Sequence, residues 1–191
     1  LCRDWSSDVC SSDLLAGRDR DMSMLEKFFR KLLEQEPLNA DWKSPQYLGA
    51  PYDPSQVLAL THQHRALSML LVEASSAAQL GAYEQVGDIL EQFANALADH
   101  LHQERERLHP YLAEHIKGEE GDAVLREMYA HIALIRRSVQ VFLKRYSATP
   151  VAAANAAEFE RDIEAMSEEF SQEMEREEAI FYTLYLPPEA Y

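Results

Sequence analysis

Six ionisable side chains stand where the apolar face of a helix would otherwise continue. They are three histidines and three glutamates: His64, His100, Glu104, His131, Glu173 and Glu177. A buried charge without a partner costs too much free energy to be accidental. Imidazole nitrogens and carboxylate oxygens are ligands for transition-metal ions. These residues therefore predict a shared polar centre that binds metal.

The spacing of these residues supports a single centre. His100 and Glu104 are four positions apart, as are Glu173 and Glu177, so each pair lies on one face of a helix. The other two histidines stand alone on their helices. Metal sites in four-helix bundles are built in this way, from side chains of facing helices that project into the core.

The charge of the six residues favours a cation. Three carboxylates held close together repel one another, and without a cation at least one of them should take up a proton. Two divalent ions would remove that conflict. Nitrogen and oxygen ligands without sulfur suit Fe, with Mn or Zn as the other candidates.

Each residue also has a simpler interpretation. A lone histidine such as His64 or His131 is more often a hydrogen-bonded core residue than a ligand. A His-x-x-x-Glu pair is a common contact on an exposed helix. His102 and Glu106 have that spacing, but they lie about 200° around the helix from His100, so we expect them in solvent.

Glu173 is the weakest member of the set. Met174 could occupy the inward position and leave Glu173 at the edge of the bundle. Three further histidines are not assigned to the centre. We expect His62 and His109 to resemble His102, and His115 to lie near a helix end.

Four long helical patterns position these residues. Apolar side chains recur with helical spacing in four spans: from Asp53-Pro54 to about Gly81, from about Tyr83 to Ile116, from about Glu120 to Tyr146, and from about Val151 or Ala152 to Tyr185. Asp53-Pro54 is typical of a helix start, and Gly118 of a helix end. Short connections predict antiparallel neighbours. The predicted fold class is all-α, an antiparallel up-down-up-down four-helix bundle over residues 54–191.

An N-terminal helical arm and loop are predicted for residues 22–53. In MSMLEKFFRKLLEQEP, five apolar side chains fall on one helix face before Pro37 ends the pattern. We expect this helix to dock on the bundle, with docking on a partner protein as the alternative. Met22 or Met24 is the expected natural start.

Residues 1–21 are predicted to be a non-native or disordered leader. The stretch from Asp4 to Leu14 resembles a translated sequencing adapter. Cys2 and Cys10, the two cysteines of the chain, lie in this leader and could form a disulfide, a metal pair or nothing. Without the leader, metal binding rests on histidine and carboxylate alone. The remaining chain, free of cysteine, fits a cytoplasmic protein.

Composition excludes several partners. The net charge of −15 argues against nucleic acid and against an anionic membrane surface, because both are bound through clustered Lys and Arg. No apolar run approaches the length of a membrane-spanning helix. With 47% hydrophobic residues, the chain can bury a sizeable core.

The segment LADHLHQERERLHPYL, residues 97–112, resembles the second core helix of hemerythrin-like (HHE cation-binding) domains. That helix carries His-x-x-x-Glu before an apolar and Pro-containing ending, and His100 and Glu104 fall on the pattern. His64 and His131 look like the lone histidines of the first and third helices. EMEREEAIFYTLY looks like the fourth-helix motif, His-x-x-x-Glu-Glu, with Glu173 where the family has histidine.

The resemblance implies a non-haem di-iron centre that binds or senses O₂ or NO, or that handles iron. The change at Glu173 leaves open a carboxylate-richer iron pair, a single-metal site or a degenerate bundle. The alternative function is a metal-free helical module that regulates a partner protein. An oxidase or peroxidase ranks last, because the sequence shows no signature of a substrate pocket.

Overall fold

The structure is a computed structural model and describes residues 49–191. Within this range all regular structure is helical, as predicted. The predicted leader at 1–21 and the predicted N-terminal helix both lie outside the described residues. Among the described helices, none has both the length and the apolar run that crossing a membrane requires.

The first helix, α1, spans Gln56–Gln79. Its start lies slightly later than the predicted position at Pro54, because Asp53 closes a turn in front of the helix. The Asp53 carboxylate Oδ1 accepts hydrogen bonds from the backbone N–H of Ser55 at 2.9 Å and from its hydroxyl at 2.6 Å. Side chains of this type compete with helical hydrogen bonding and fix turns.

The end of α1 is set by Gly81, as predicted. Its φ of +73° is a left-handed conformation that glycine adopts without steric cost. The N–H of Gly81 donates to the carbonyl of Ala78, and that of Ala82 to the carbonyl of Ala77. These two bonds form the usual glycine-terminated helix ending and turn the chain into the next helix.

The second helical run contains a π turn. It consists of α2 at Tyr83–Gln103, a π turn at Glu104–Leu108 and α3 at His109–His115. The run matches the predicted span from Tyr83 to Ile116. The prediction that Gly118 caps it is wrong, because the run ends through Ile116 in extended backbone and Gly118, with φ of +88°, begins the next helix.

The third run, α4, spans Gly118–Ala148 and is continuous. The fourth consists of α5 at Ala156–Arg176, a π turn at Glu177–Phe181 and a 3₁₀ turn at Tyr182–Leu184. A second 3₁₀ turn, Pro188–Ala190, follows. The start of α5 is later than predicted because the Asn155 side chain closes a turn, accepting a hydrogen bond from the N–H of Ala152 at 2.7 Å.

The four runs close into a ring. α1 packs against α2 and α5, and α4 packs against the same two helices. Contacts between α4 and α5 show their antiparallel direction: Arg145 bonds to Asp162 and Ser138 to Glu169, at 2.5 and 2.7 Å. The predicted antiparallel four-helix bundle is therefore confirmed for the described part of the chain.

The core joins α2 and α5 through an aromatic pair. The rings of Phe93 and Phe170 pack edge to face with centroids 5.6 Å apart, and both side chains are buried. We expect Phe93→Ala to lower the free energy of unfolding by about 3–5 kcal/mol, because it leaves a cavity between the helices. Val72→Ala on α1, where the side chain is 62% exposed, should change it by less than about 0.5 kcal/mol. Urea unfolding of both variants tests this.

Candidate metal centre

Four of the six predicted residues converge in the core. His64, His100, Glu104 and Glu177 each offer one ligand atom, and these atoms lie within 4.8 Å of one another. All four residues are buried, with exposures of 1–3%. A metal ion with ligands at about 2.0–2.2 Å holds them within about 4.4 Å of one another, so only a small contraction is needed.

Helix geometry explains how these side chains meet. His64 lies on α1, next to the C-terminal end of α2, which carries His100. Glu104 and Glu177 are the first residues of the two π turns. In each turn the backbone carbonyl of the glutamate accepts a hydrogen bond from the fifth residue on, His109 or Tyr182. Such turns are rare in proteins, and those that do occur often lie at functional sites.

Hydrogen bonds fix the orientation of both imidazoles. His64 Nδ1 donates to the Glu178 carboxylate Oε1 at 2.9 Å, and His100 Nδ1 donates to the Gln63 amide oxygen at 3.0 Å. Each ring therefore carries its proton on Nδ1 and presents a lone pair at Nε2. Outer hydrogen bonds of this kind orient histidines that bind metal.

The two Nε2 atoms lie 3.3 Å apart, so two lone pairs face each other. The carboxylates add further acceptors to the same space. Oε2 of Glu104 and Oε2 of Glu177 are buried and have no hydrogen-bond partner, although the latter lies 3.3 Å from His64 Nε2. Buried polar atoms rarely stay unpaired. Unpaired acceptors gathered in this way fit a cation, so the residues present are compatible with a metal site.

The electrostatics of the cluster lead to the same conclusion. Burial, followed by the charge of Glu104, raises the pKa of Glu177 to about 8. Burial and the neighbouring His64 lower the pKa of His100 to about 3. For His64, burial acts to lower the pKa, but Glu177, Glu178 and Glu104 together outweigh it and the pKa is raised. Without a metal the cluster thus retains a proton, and a cation would replace it.

A family model for the hemerythrin HHE cation-binding domain matches residues 56–185. The chain belongs to this family. Neither the search of curated proteins nor that of solved structures found a match. The match spans all four helical runs of the bundle, and the family's cation binding agrees with the chemistry of the buried His/Glu cluster.

The HHE domain also places a tyrosine in the centre that the sequence analysis did not assign. The Tyr182 hydroxyl lies 2.9 Å from Glu104 Oε1, to which it donates, and 3.0 Å from His64 Nε2. In a regular α-helix Tyr182 would lie about 140° from Glu177 and point away. The π turn that begins at Glu177 changes this direction. Tyr182 could not be assigned from the sequence, because no residue pattern marks the place where this π turn begins.

The remaining two predicted residues lie outside the cluster of four. His131 on α4 is 27% exposed in its side chain, and its Nδ1 lies 3.6 Å from Glu173 Oε2. Glu173 is buried, and so is Met174, which means that neither displaces the other to the surface. A third residue, Arg176, contacts both His131 and Glu173.

The other histidines differ in their surroundings. His62 and His102 are exposed, as expected. His109 is buried, against expectation, and packs edge to face on the Tyr129 ring with centroids 5.4 Å apart. The π turn at Glu104 accounts for this, because it changes the direction of the residues that follow. Burial lowers the pKa of His109, which keeps its ring neutral.

A cavity of about 10 Å³ lies beside the cluster. His100, Glu177 and Arg136 line it together with six apolar side chains: Leu97, Leu101, Ile135, Val139, Phe170 and Met174. A space of this size is close to the lower limit for one water molecule. It offers room next to the centre for one molecule about the size of water.

Two histidines of one helical run provide a matched test of the centre. His100→Ala should lower metal affinity by more than about 100-fold, since changes to outer residues already cost 10–100-fold. His102→Ala should leave metal content unchanged, because that side chain is exposed and contacts Arg105. Metal analysis of both reconstituted variants distinguishes these results. Equal losses would show that the wrong face had been assigned.

Glu177→Gln should act in opposite directions on stability and metal binding. A carboxyl group whose folded pKa lies above its unfolded value of 4.5 destabilises the fold increasingly as pH rises toward about 8. At pH 8 the metal-free variant should therefore be more stable than the wild type, by about 1–3 kcal/mol. Its metal affinity should fall sharply.

Chemical denaturation between pH 6.5 and 8, with and without metal, checks this prediction. Glu175→Gln serves as the control, because Glu175 is exposed on the same helix. A metal-free Glu177→Gln protein that is less stable than the wild type at pH 8 would contradict the assigned role of burial.

Proposed function

We propose that this chain is an iron-binding protein whose cation is held by His64, His100, Glu104 and Glu177. The observation that carries the proposal is the meeting of two Nε2 lone pairs at 3.3 Å beside buried carboxylate oxygens that lack donors. Membership of a cation-binding family supports the same conclusion.

The ligand chemistry is compatible with iron. Two imidazoles and two carboxylates without sulfur suit Fe or Mn, and Zn accepts the same atoms. Both carboxylates are buried, and two negative charges match a divalent ion. Iron bound here would supply an electron-rich centre able to bind O₂ or NO. Alternatively, the protein would store and release the iron itself.

Residues around the ligands have separate tasks in this proposal. Gln63 and Glu178 hold the imidazoles with Nε2 inward through their bonds to Nδ1. The Tyr182 hydroxyl offers both a proton and an oxygen atom within 3.0 Å of His64 Nε2. Burial, with the charges of Glu104 and Glu177, raises the pKa of Tyr182, so the phenol keeps its proton until a cation is present.

The cavity beside the cluster supports a small ligand. Its volume of about 10 Å³ and its mostly apolar wall suit a very small uncharged molecule. We therefore propose that the iron binds or senses O₂ or NO. Iron handling is the alternative role. A cytoplasmic location is part of the proposal, because the chain after Cys10 has no cysteine.

Anaerobic reconstitution tests the proposal. Protein incubated with Fe(II) and desalted should retain at least one iron per chain, and oxidation should produce ligand-to-metal absorption. NO added to the Fe(II) protein should change the visible spectrum. The double variant His100→Ala/Glu104→Ala is the negative control, and His102→Ala should behave as the wild type.

Metal content near zero in the reconstituted wild type would overturn iron binding and favour the metal-free interaction module. Iron retention without any spectral response to O₂ or NO would instead leave iron handling as the role. Competition with Mn(II) and Zn(II) during reconstitution identifies the preferred cation.

A further inference from the structure

Arg176 occupies the space between the two predicted ligands that lie outside the cluster. Its Nη1 is 2.7 Å from His131 Nδ1 and 3.0 Å from Glu173 Oε2. Arg176 and Glu173 are three positions apart on α5, so they share a face, and His131 reaches them from α4. One guanidinium nitrogen thus lies between an imidazole and a carboxylate from two helices.

The donors and acceptors among Arg176, His131 and Glu173 can be assigned without ambiguity. Arginine remains charged in proteins and has only donors. The Nδ1 atom of His131 must therefore accept, and Oε2 of Glu173 accepts as well. These are the lone pairs that a metal ion would need. The guanidinium of Arg176, a cation of the protein itself, already donates hydrogen bonds to both lone pairs.

This guanidinium lies next to the cluster of four. Glu173 and Glu177 are four positions apart on the fourth helical run and are both buried, and Arg176 directly precedes Glu177 in the chain. Arg176 is therefore at the position where the family resemblance predicts a second metal ion.

Charge balance favours one metal ion. The centre holds three buried carboxylates, those of Glu104, Glu173 and Glu177. One divalent ion together with the Arg176 guanidinium neutralises all three. With Arg176 in place, a second divalent ion would leave two surplus positive charges at the centre and would lie against the guanidinium. Two cations in contact repel each other.

We propose that Arg176 replaces the second metal ion of the centre, so that the chain binds one cation, at His64, His100, Glu104 and Glu177. This inference rests on the proposed function, because it presupposes that the cluster binds metal. It replaces the expectation of two ions per chain and explains why a glutamate is present where the family motif has histidine: Glu173 pairs with the guanidinium.

Counting metal ions tests the inference. Native mass spectrometry and elemental analysis of the wild type reconstituted with excess Fe(II) should find one iron per chain. Arg176→Ala should take up a second ion, because His131 and Glu173 regain free lone pairs beside the cluster. Arg176→Gln, which keeps a polar side chain and removes the charge, should raise the count as well, and it keeps the inference testable if the alanine variant folds poorly.

Arg145→Ala is the matched control. Arg145 also joins α4 to α5, through Glu158 and Asp162, but near the C-terminal end of α4 and on an exposed surface. Its loss should leave the count at one. A second readout is electron paramagnetic resonance of the oxidised protein, since an isolated high-spin Fe(III) ion gives a signal and a coupled iron pair is silent.

The outcomes separate the two proposals. Two iron ions in the wild type, or one ion in both Arg176 variants, would overturn the role of Arg176 while iron binding stands. No iron in the wild type or in any variant would overturn the proposed function itself. One ion in the wild type and two in an Arg176 variant would support both.

Discussion

The centre of this bundle depends on hydrogen-bond acceptors that face one another in a dry interior. Gln63 and Glu178 accept hydrogen bonds from the outer N–H groups of two imidazoles, which leaves the lone pairs of the inner nitrogens facing each other at 3.3 Å. Buried carboxylate oxygens complete the space without supplying a donor. In an interior of low polarity, unpaired acceptors are unfavourable unless protons or a cation bind between them. The surrounding helices hold the set together through their packed apolar sides.

The two π turns connect the fold to this centre. Each begins at a glutamate of the cluster, Glu104 in the second helical run and Glu177 in the fourth. A wider turn changes the direction of every residue after it. In the fourth run this brings Tyr182 within 2.9 Å of Glu104, and in the second it buries His109. The ends of the helices farther from the centre keep regular α-helical geometry.

Much of the fold follows from apolar spacing and a few residues with strong local preferences. The four helical runs were predicted with correct order, because a period of 3.6 residues is visible over long spans. Gly81 marks an ending because few other residues adopt its conformation. Boundaries at Asp53, Gly118 and Asn155 were misplaced by a few residues. There, short-range hydrogen bonds of side chains or an extended connection compete with the helix, and their outcome depends on the whole turn.

The helical architecture, the nitrogen and oxygen character of the candidate ligands, and the helix faces of His64, His100 and Glu104 could all be predicted from sequence. A helical period carries this information because it is local. Which residues share the centre could not be predicted, since that depends on how side chains of different helices pack together. The tertiary structure brought in Tyr182 through a π turn and placed the guanidinium of Arg176 between His131 and Glu173. Long side chains reach across helix boundaries, and no spacing along the chain specifies their partner.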